Sequence, residues 1–152
     1  TPLADELASH RFFRDLPEHL VNQLAAWAAP VEFTAEEKLI TTGKPADRML
    51  ALQSGRVAVG VHVPQLGLSI IETLNSGDVL GWSWLLPPYR WTFDAIGIKA
   101  GRAIQIEAAP VRELLTGNPV EALPLVMAMA GVMNERLHSA RARLLNLYGG
   151  DE

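Results

Sequence analysis

The chain has 152 residues, a formal net charge of −4 and no cysteine. That length suits one domain with a real hydrophobic core, and 49% hydrophobic against 20% charged residues is the composition of a folded globular chain rather than a disordered one. The lack of cysteine excludes disulfides, thiolate catalysis, cysteine-ligated zinc and iron–sulfur clusters, and the acidic balance gives no sequence-independent attraction to nucleic acid or anionic lipid. Thr1 to His10 is polar and mixed in charge, unlike a secretory signal. The most apolar run, Leu123 to Met133, is too short to span a bilayer and contains Pro124. A cytoplasmic protein with no membrane association is the expectation.

In chain order, residues 1–30 read as a helical segment. Pro17 suits a first helical turn, and Leu20, Val21, Leu24 and Trp27 recur at helical spacing until Pro30 stops the run. The period then changes to two over residues 31–107. Arg56 to Val63 alternates strictly, with Val57, Val59, Val61 and Val63 on one face. Val31–Phe33, Lys38–Thr41, Met49–Gln53, Leu68–Leu74, Trp91–Ile98 and Arg102–Ile106 read as further strands, separated by glycine and proline turns. Many short strands between glycine turns predict a mainly β roll, sandwich or barrel rather than a parallel sheet.

Helical spacing returns near the end. Residues 109–117 predict a short helix that Pro110 can open and Gly117 closes. Residues 118–148 predict a long one, capped by Asn118, with Pro119 first and Glu121 third. Leu123, Val126, Ala130, Met133, Leu137, Ala140, Leu144 and Leu147 then step by alternating threes and fours, an unbroken heptad seam. An exposed leucine seam is an aggregation liability, so a parallel homodimer through Val126, Ala130, Met133, Leu137, Ala140, Leu144 and Leu147 is expected.

The turn glycines carry a pattern. Gly43-Lys44-Pro45-Ala46-Asp47-Arg48-Met49, Ser54-Gly55-Arg56-Val57, and Leu74 with Gly77-Asp78-Val79 and Gly81 follow in order at close intervals. Together with the heptad helix, this resembles the cyclic-nucleotide-binding domain of the catabolite-activator and fumarate–nitrate-regulator superfamily, across nearly the whole chain. The resemblance implies one domain over residues 1–152: a double-stranded β-helix (jelly-roll) followed by a dimerisation helix. Turn glycines alone report the fold, because any roll needs them where φ is positive.

In that family the ligand cassette follows the glycine matched by Gly81. A short helix there offers N–H groups to a cyclic phosphate and an arginine pairs with the anion, as helix N-termini and guanidinium groups do generally. Carried over residue by residue, this implies ligand contacts from Gly81, Trp82, Ser83, Arg90 and Trp91, and from Ser139 and Arg141 on the dimer helix. To act so, Arg90 must point into the roll. The implied ligand is a cyclic nucleotide, cyclic AMP or cyclic GMP, or a related small anion.

The departures lie in the same cassette. Trp82 stands where the family's binders place a ribose-binding glutamate, Trp91 where they place Ser or Thr, and Asp94 would oppose a phosphate if it faced inward. Trp82, Trp84, Tyr89, Trp91 and Phe93 either line a pocket for a planar ligand or fill the roll and close it. His10, His19, His62 and His138 are dispersed without metal-ligand spacing, so no metal site is expected. No nucleophile–base pair, paired carboxylates or nucleotide-hydrolase phosphate loop is visible, so catalysis is not expected. The sequence ends at Gly149-Gly150-Asp151-Glu152 without the helix-turn-helix of the superfamily's transcription factors, so direct DNA binding is not expected. The reading is a dimeric regulatory sensor of a small anionic ligand, with a possible protein partner. The alternatives are a degenerate scaffold whose pocket is filled by tryptophan, and the sensor half of a transcription regulator.

Overall fold

A computed structural model describes residues 2–149. Four helices and seven strands follow in order: α1 (Pro2–Ser9), α2 (Glu18–Ala25), β1 (Ala28–Phe33), β2 (Lys38–Ile40), β3 (Arg48–Leu52), β4 (Arg56–Val63), β5 (Gly67–Leu74), β6 (Asp94–Lys99), β7 (Gly101–Glu107), α3 (Ala108–Gly117) and α4 (Pro119–Gly149). The strands form two antiparallel sheets, β1-β7-β3 and β2-β6-β4-β5. This is the expected jelly-roll with flanking helices and a long C-terminal helix.

Apolar side chains from both sheets fill the roll, among them Phe33, Met49, Leu52, Val57, Val59 and Ile104. Trp84 and Trp91 join that core rather than the surface, at 0% and 4% exposure. The glycine turns act as the roll requires. Gly55 has φ +86°, and a Cβ there would lie 2.7 Å from the Lys99 carbonyl oxygen, so only glycine lets this turn close on β6 and β7.

Helix α1 falls within the expected helical segment and buries Ala4 and Leu7. Two expectations about elements are corrected. Helix α2 ends at Ala25, before Trp27, and Pro30 lies within β1, paired with Ile104. β1 is an edge strand, where the missing N–H of a proline interrupts no ladder. Trp91, Thr92 and Phe93 belong to a loop, and β6 begins only at Asp94.

Helix α4 starts as its sequence demands. Asn118 Oδ1 accepts from the Glu121 N–H at 3.4 Å, and its Nδ2 donates to Glu121 Oε2 at 2.7 Å. The helix continues through Pro124. Its early turns lie beside α3 and bury Ala122, Leu125 and Met129 in the core, while Leu123, Leu137, Leu144 and Leu147 stay exposed.

Candidate ligand-binding site

A cavity of about 250 Å³ lies inside the mouth of the roll. Val59 and Val61 of β4, Ile71 of β5, Trp82 and Phe93 form its apolar wall. Ser83, Thr92, Glu72 and Arg136 supply the polar groups. Gly81 sets the wall's shape: its φ is +70°, and a Cβ would fall 2.7 Å from the Phe93 ring. Any larger residue would push that ring out of place.

Ile71 and Glu72 are consecutive, and both line the cavity. Regular β structure would send them to opposite faces. The register of β4 against β5 shifts here, since Val59 opposes Glu72 whereas Gly60 opposes Ile70, leaving Ile71 as the extra residue of a bulge. Bulges re-aim side chains in this way.

Glu72 forms an ion pair with Arg136 of α4, Oε1 to Nη1 2.7 Å, with both side chains mostly buried. The second arm of Arg136 donates to the Val79 carbonyl at 2.7 Å. The cation in this cavity therefore comes from the long helix. A larger groove, about 350 Å³, lies along the other side of Arg136, between Arg11, Asp78 and Glu135. Its charged lining of both signs is open to solvent, and it offers a ligand little apolar surface.

The sequence placed the anion-binding arginine elsewhere. Arg90 is exposed, and its Nη1 donates to the Gly43 carbonyl at 2.9 Å. Its backbone bridges Pro45, and its side chain turns to Gly43 rather than to the cavity. Arg90 is not among the residues lining the cavity. The expected helix at Ser83 is also absent: residues 82–85 make a single turn, closed by Leu85 N–H to the Trp82 carbonyl at 2.9 Å. One turn lacks the aligned peptide dipoles of a helix terminus. Gly81, Trp82 and Ser83 do line the cavity, whereas Trp91 packs edge-on to Phe93 in the core behind it. The aromatic cluster thus divides, with Trp82 and Phe93 in the wall and Trp84 and Trp91 in the interior. Ser139 and Arg141 are exposed on α4, beyond the cavity of their own chain.

Asp94 does not oppose a ligand. It is 1% exposed and accepts hydrogen bonds from Thr42 N–H at 2.7 Å and Thr42 Oγ1 at 2.9 Å. Lys38 Nζ at 3.3 Å and His62 Nε2 at 2.7 Å approach its other oxygen. Burial pushes the carboxyl upward, but the Thr42 and Lys38 contacts outweigh it and hold Asp94 below the usual carboxylate value.

Comparison with known proteins now decides the family. The sequence pattern of the cyclic nucleotide-binding domain matches residues 30–118, more than half of the chain. The chain belongs to the cyclic nucleotide-binding domain family. It is 23% identical over 124 residues to the "CRP-like cAMP-activated global transcriptional regulator" of Mycobacterium tuberculosis, a match covering 82% of this chain and 55% of that protein. The chain thus spans about half the length of the curated relatives it matches. A protein of Geobacter metallireducens GS-15, named only provisionally as cyclic nucleotide-binding, has a similar structure (TM-score 0.80, 24% identity, 89% of this chain and 98% of that one). So does a cyclic nucleotide-binding domain from Methylobacillus flagellatus KT (TM-score 0.80, 17% identity, 93% and 82%).

The cyclic nucleotide-binding domain family is regulatory, and this member holds its cassette loop by an arginine that sequence reading missed. Arg112 of α3 donates from Nε to the Trp84 carbonyl at 2.7 Å and from Nη2 to the Ala46 carbonyl at 2.6 Å. Its guanidinium lies 4.1 Å from the centre of the Tyr89 ring. Nothing in the sequence around Arg112 distinguishes it from a surface arginine. Among the described residues no group of histidine and acidic side chains could hold a metal ion, and no helix is long and apolar enough to cross a membrane.

Proposed function

We propose that the chain is a regulatory sensor module that binds a small anionic ligand in the roll cavity and signals through α4. One observation carries the reading: the cavity is walled by the roll and by the long helix at once, and that helix supplies its cation. A ligand touching both changes their relative packing, which a partner can read. Cyclic AMP and cyclic GMP are the first candidates, in keeping with the names of the relatives. Trp82 lies in the wall, so tryptophan fluorescence on titration with each nucleotide tests the reading. A saturable change with micromolar or tighter affinity supports it, and no change with either nucleotide in fluorescence or thermal shift counts against it.

The dimer belongs to the same proposal. Leu137, Leu144 and Leu147 are 49%, 55% and 70% exposed, and pairing two copies in parallel would cover them. Ser139 and Arg141 would then approach the cavity of the second copy. The scaffold reading keeps one specific support, since Arg90 faces out and Trp91 occupies the interior. Under that reading the seam dimerises and the cavity stays unused. The third reading, the sensor half of a transcription regulator, draws on the relative from Mycobacterium tuberculosis.

A further inference from the structure

The two charged groups in the roll cavity are paired with each other. Glu72 and Arg136 leave only 17% and 15% of their side chains exposed, and their closest contact is 2.7 Å. Arg136 spends one arm on Glu72 and the other on the Val79 carbonyl. A guanidinium has five N–H donors and a carboxylate about four acceptor positions, so both partners keep capacity for a ligand. Arg90, the cation expected from the cassette, is held outside by Gly43.

We infer that Arg136 is the anion-anchoring residue of this cavity, and that Glu72 is a resident counter-ion which an anionic ligand displaces. The inference rests on the small-ligand reading above and names the residues that choose the ligand. Removing a charge from a buried pair leaves its partner uncompensated, which is strongly unfavourable. Exchanging Glu72 for a ligand anion avoids that cost, because the guanidinium stays paired and Glu72 can turn toward the mouth of the cavity. The ligand class follows from the lining. It is a compact monoanion, a phosphodiester or carboxylate, on a flat apolar body that fills the space among Val59, Val61, Ile71, Trp82 and Phe93. Exchange also frees β5 from α4 one residue before Leu137 of the seam, which places the signal where two copies would meet.

Competition with Glu72 gives a test whose sign differs from that of an ordinary contact residue. The full chain and its Glu72→Gln, Arg136→Gln and Arg90→Ala variants are titrated calorimetrically with cyclic AMP and with adenosine, its uncharged counterpart. Glu72→Gln should bind cyclic AMP several-fold more tightly, because the competing charge is gone while the amide keeps the shape. Arg136→Gln should lose about thirtyfold or more. Arg90→Ala should stay within about twofold, and adenosine should respond little to any of the three. Thermal melts confirm that each variant is folded, and if Arg136→Gln is not, the tightening by Glu72→Gln still decides. Weaker cyclic AMP binding in Glu72→Gln, or loss of binding in Arg90→Ala alone, overturns the inference and leaves the sensor reading standing. No binding of either probe by any form overturns both.

Discussion

The two halves of α4 carry the same heptad pattern and meet different surroundings. In the first half, Ala122, Leu125 and Met129 are 0–1% exposed within the core, while the seam residue Leu123 beside them is 54% exposed. In the second half, every residue from Leu137 to Leu147 is exposed. The first half is therefore held by its own chain along one stripe, and the second half has only its seam to bury. Periodicity of apolar residues shows that a face will be covered, and composition around the helix shows by how many neighbours. Arg136 sits at the junction of the two halves, which is why a charge there can report to both.

Substitutions that treat the halves alike should expose the difference. Met129→Ala removes a fully buried side chain and should cost about 2–5 kcal/mol of stability, read as a lower midpoint in urea. An unchanged midpoint would show that the first half of α4 is not part of the folded core. Leu137→Asp should leave that midpoint nearly unchanged, yet convert a dimer into monomers by light scattering, because it places an unpaired charge in the seam. A monomeric wild type would remove the basis for this contrast. Leu145→Lys, at a position that is 71% exposed and off the seam, should change stability by no more than about 0.5 kcal/mol and leave the oligomeric state alone.

Acid sharpens the same contrast, because the roll contains buried titratable groups. His10 Nε2–H donates to the Leu52 carbonyl at 2.8 Å, and its Nδ1 accepts from Phe12 N–H at 3.1 Å, so the neutral ring ties the N-terminal segment to β3. Burial is the main cause that lowers its pKa below the ordinary 6.5, against the opposing pull of the Leu52 carbonyl. A group whose folded pKa is depressed stabilises fully above its unfolded value, and that contribution is lost as pH falls through the folded one. Stability should therefore begin to fall below about pH 6.5, and His10→Gln should flatten this first decline. Asp94, also depressed, keeps its contribution above the ordinary 3.8 and loses it only in stronger acid. A midpoint independent of pH between 7 and 5 would contradict the role assigned to His10.

Much of the fold was legible because local rules and tertiary needs agree in it. The strict alternation of Arg56 to Val63 gave β4 its bounds, Asn118 with Glu121 gave the start of α4, and the turn glycines gave the roll. The bounds of α1 were not legible within the expected helical segment, because its buried residues, Ala4 and Leu7, are too few to make a periodic stripe. The site was harder for a different reason. A motif fixes where a residue lies along the chain and leaves open where its side chain points. Arg90 occupies the expected position, yet its side chain is exposed and bonded to the Gly43 carbonyl. Glu72 reaches the cavity only through the bulge at Ile71, and no period-two pattern encodes a bulge. Nothing in the sequence sets Arg136 apart from its exposed neighbours Arg141 and Arg143, because the Glu72 that receives it lies 64 residues away.

The grip of Arg112 bears on how motion can pass through the molecule. One side chain holds the Trp84 and Ala46 carbonyls and covers the Tyr89 ring, so two loops and α3 are fastened at a single point. Only Asn118 separates α3 from α4. Any displacement of the cassette loop must break those bonds or carry α3 with it. Under the proposed signalling, α3 is the element that would carry a change at Trp84 to the start of α4.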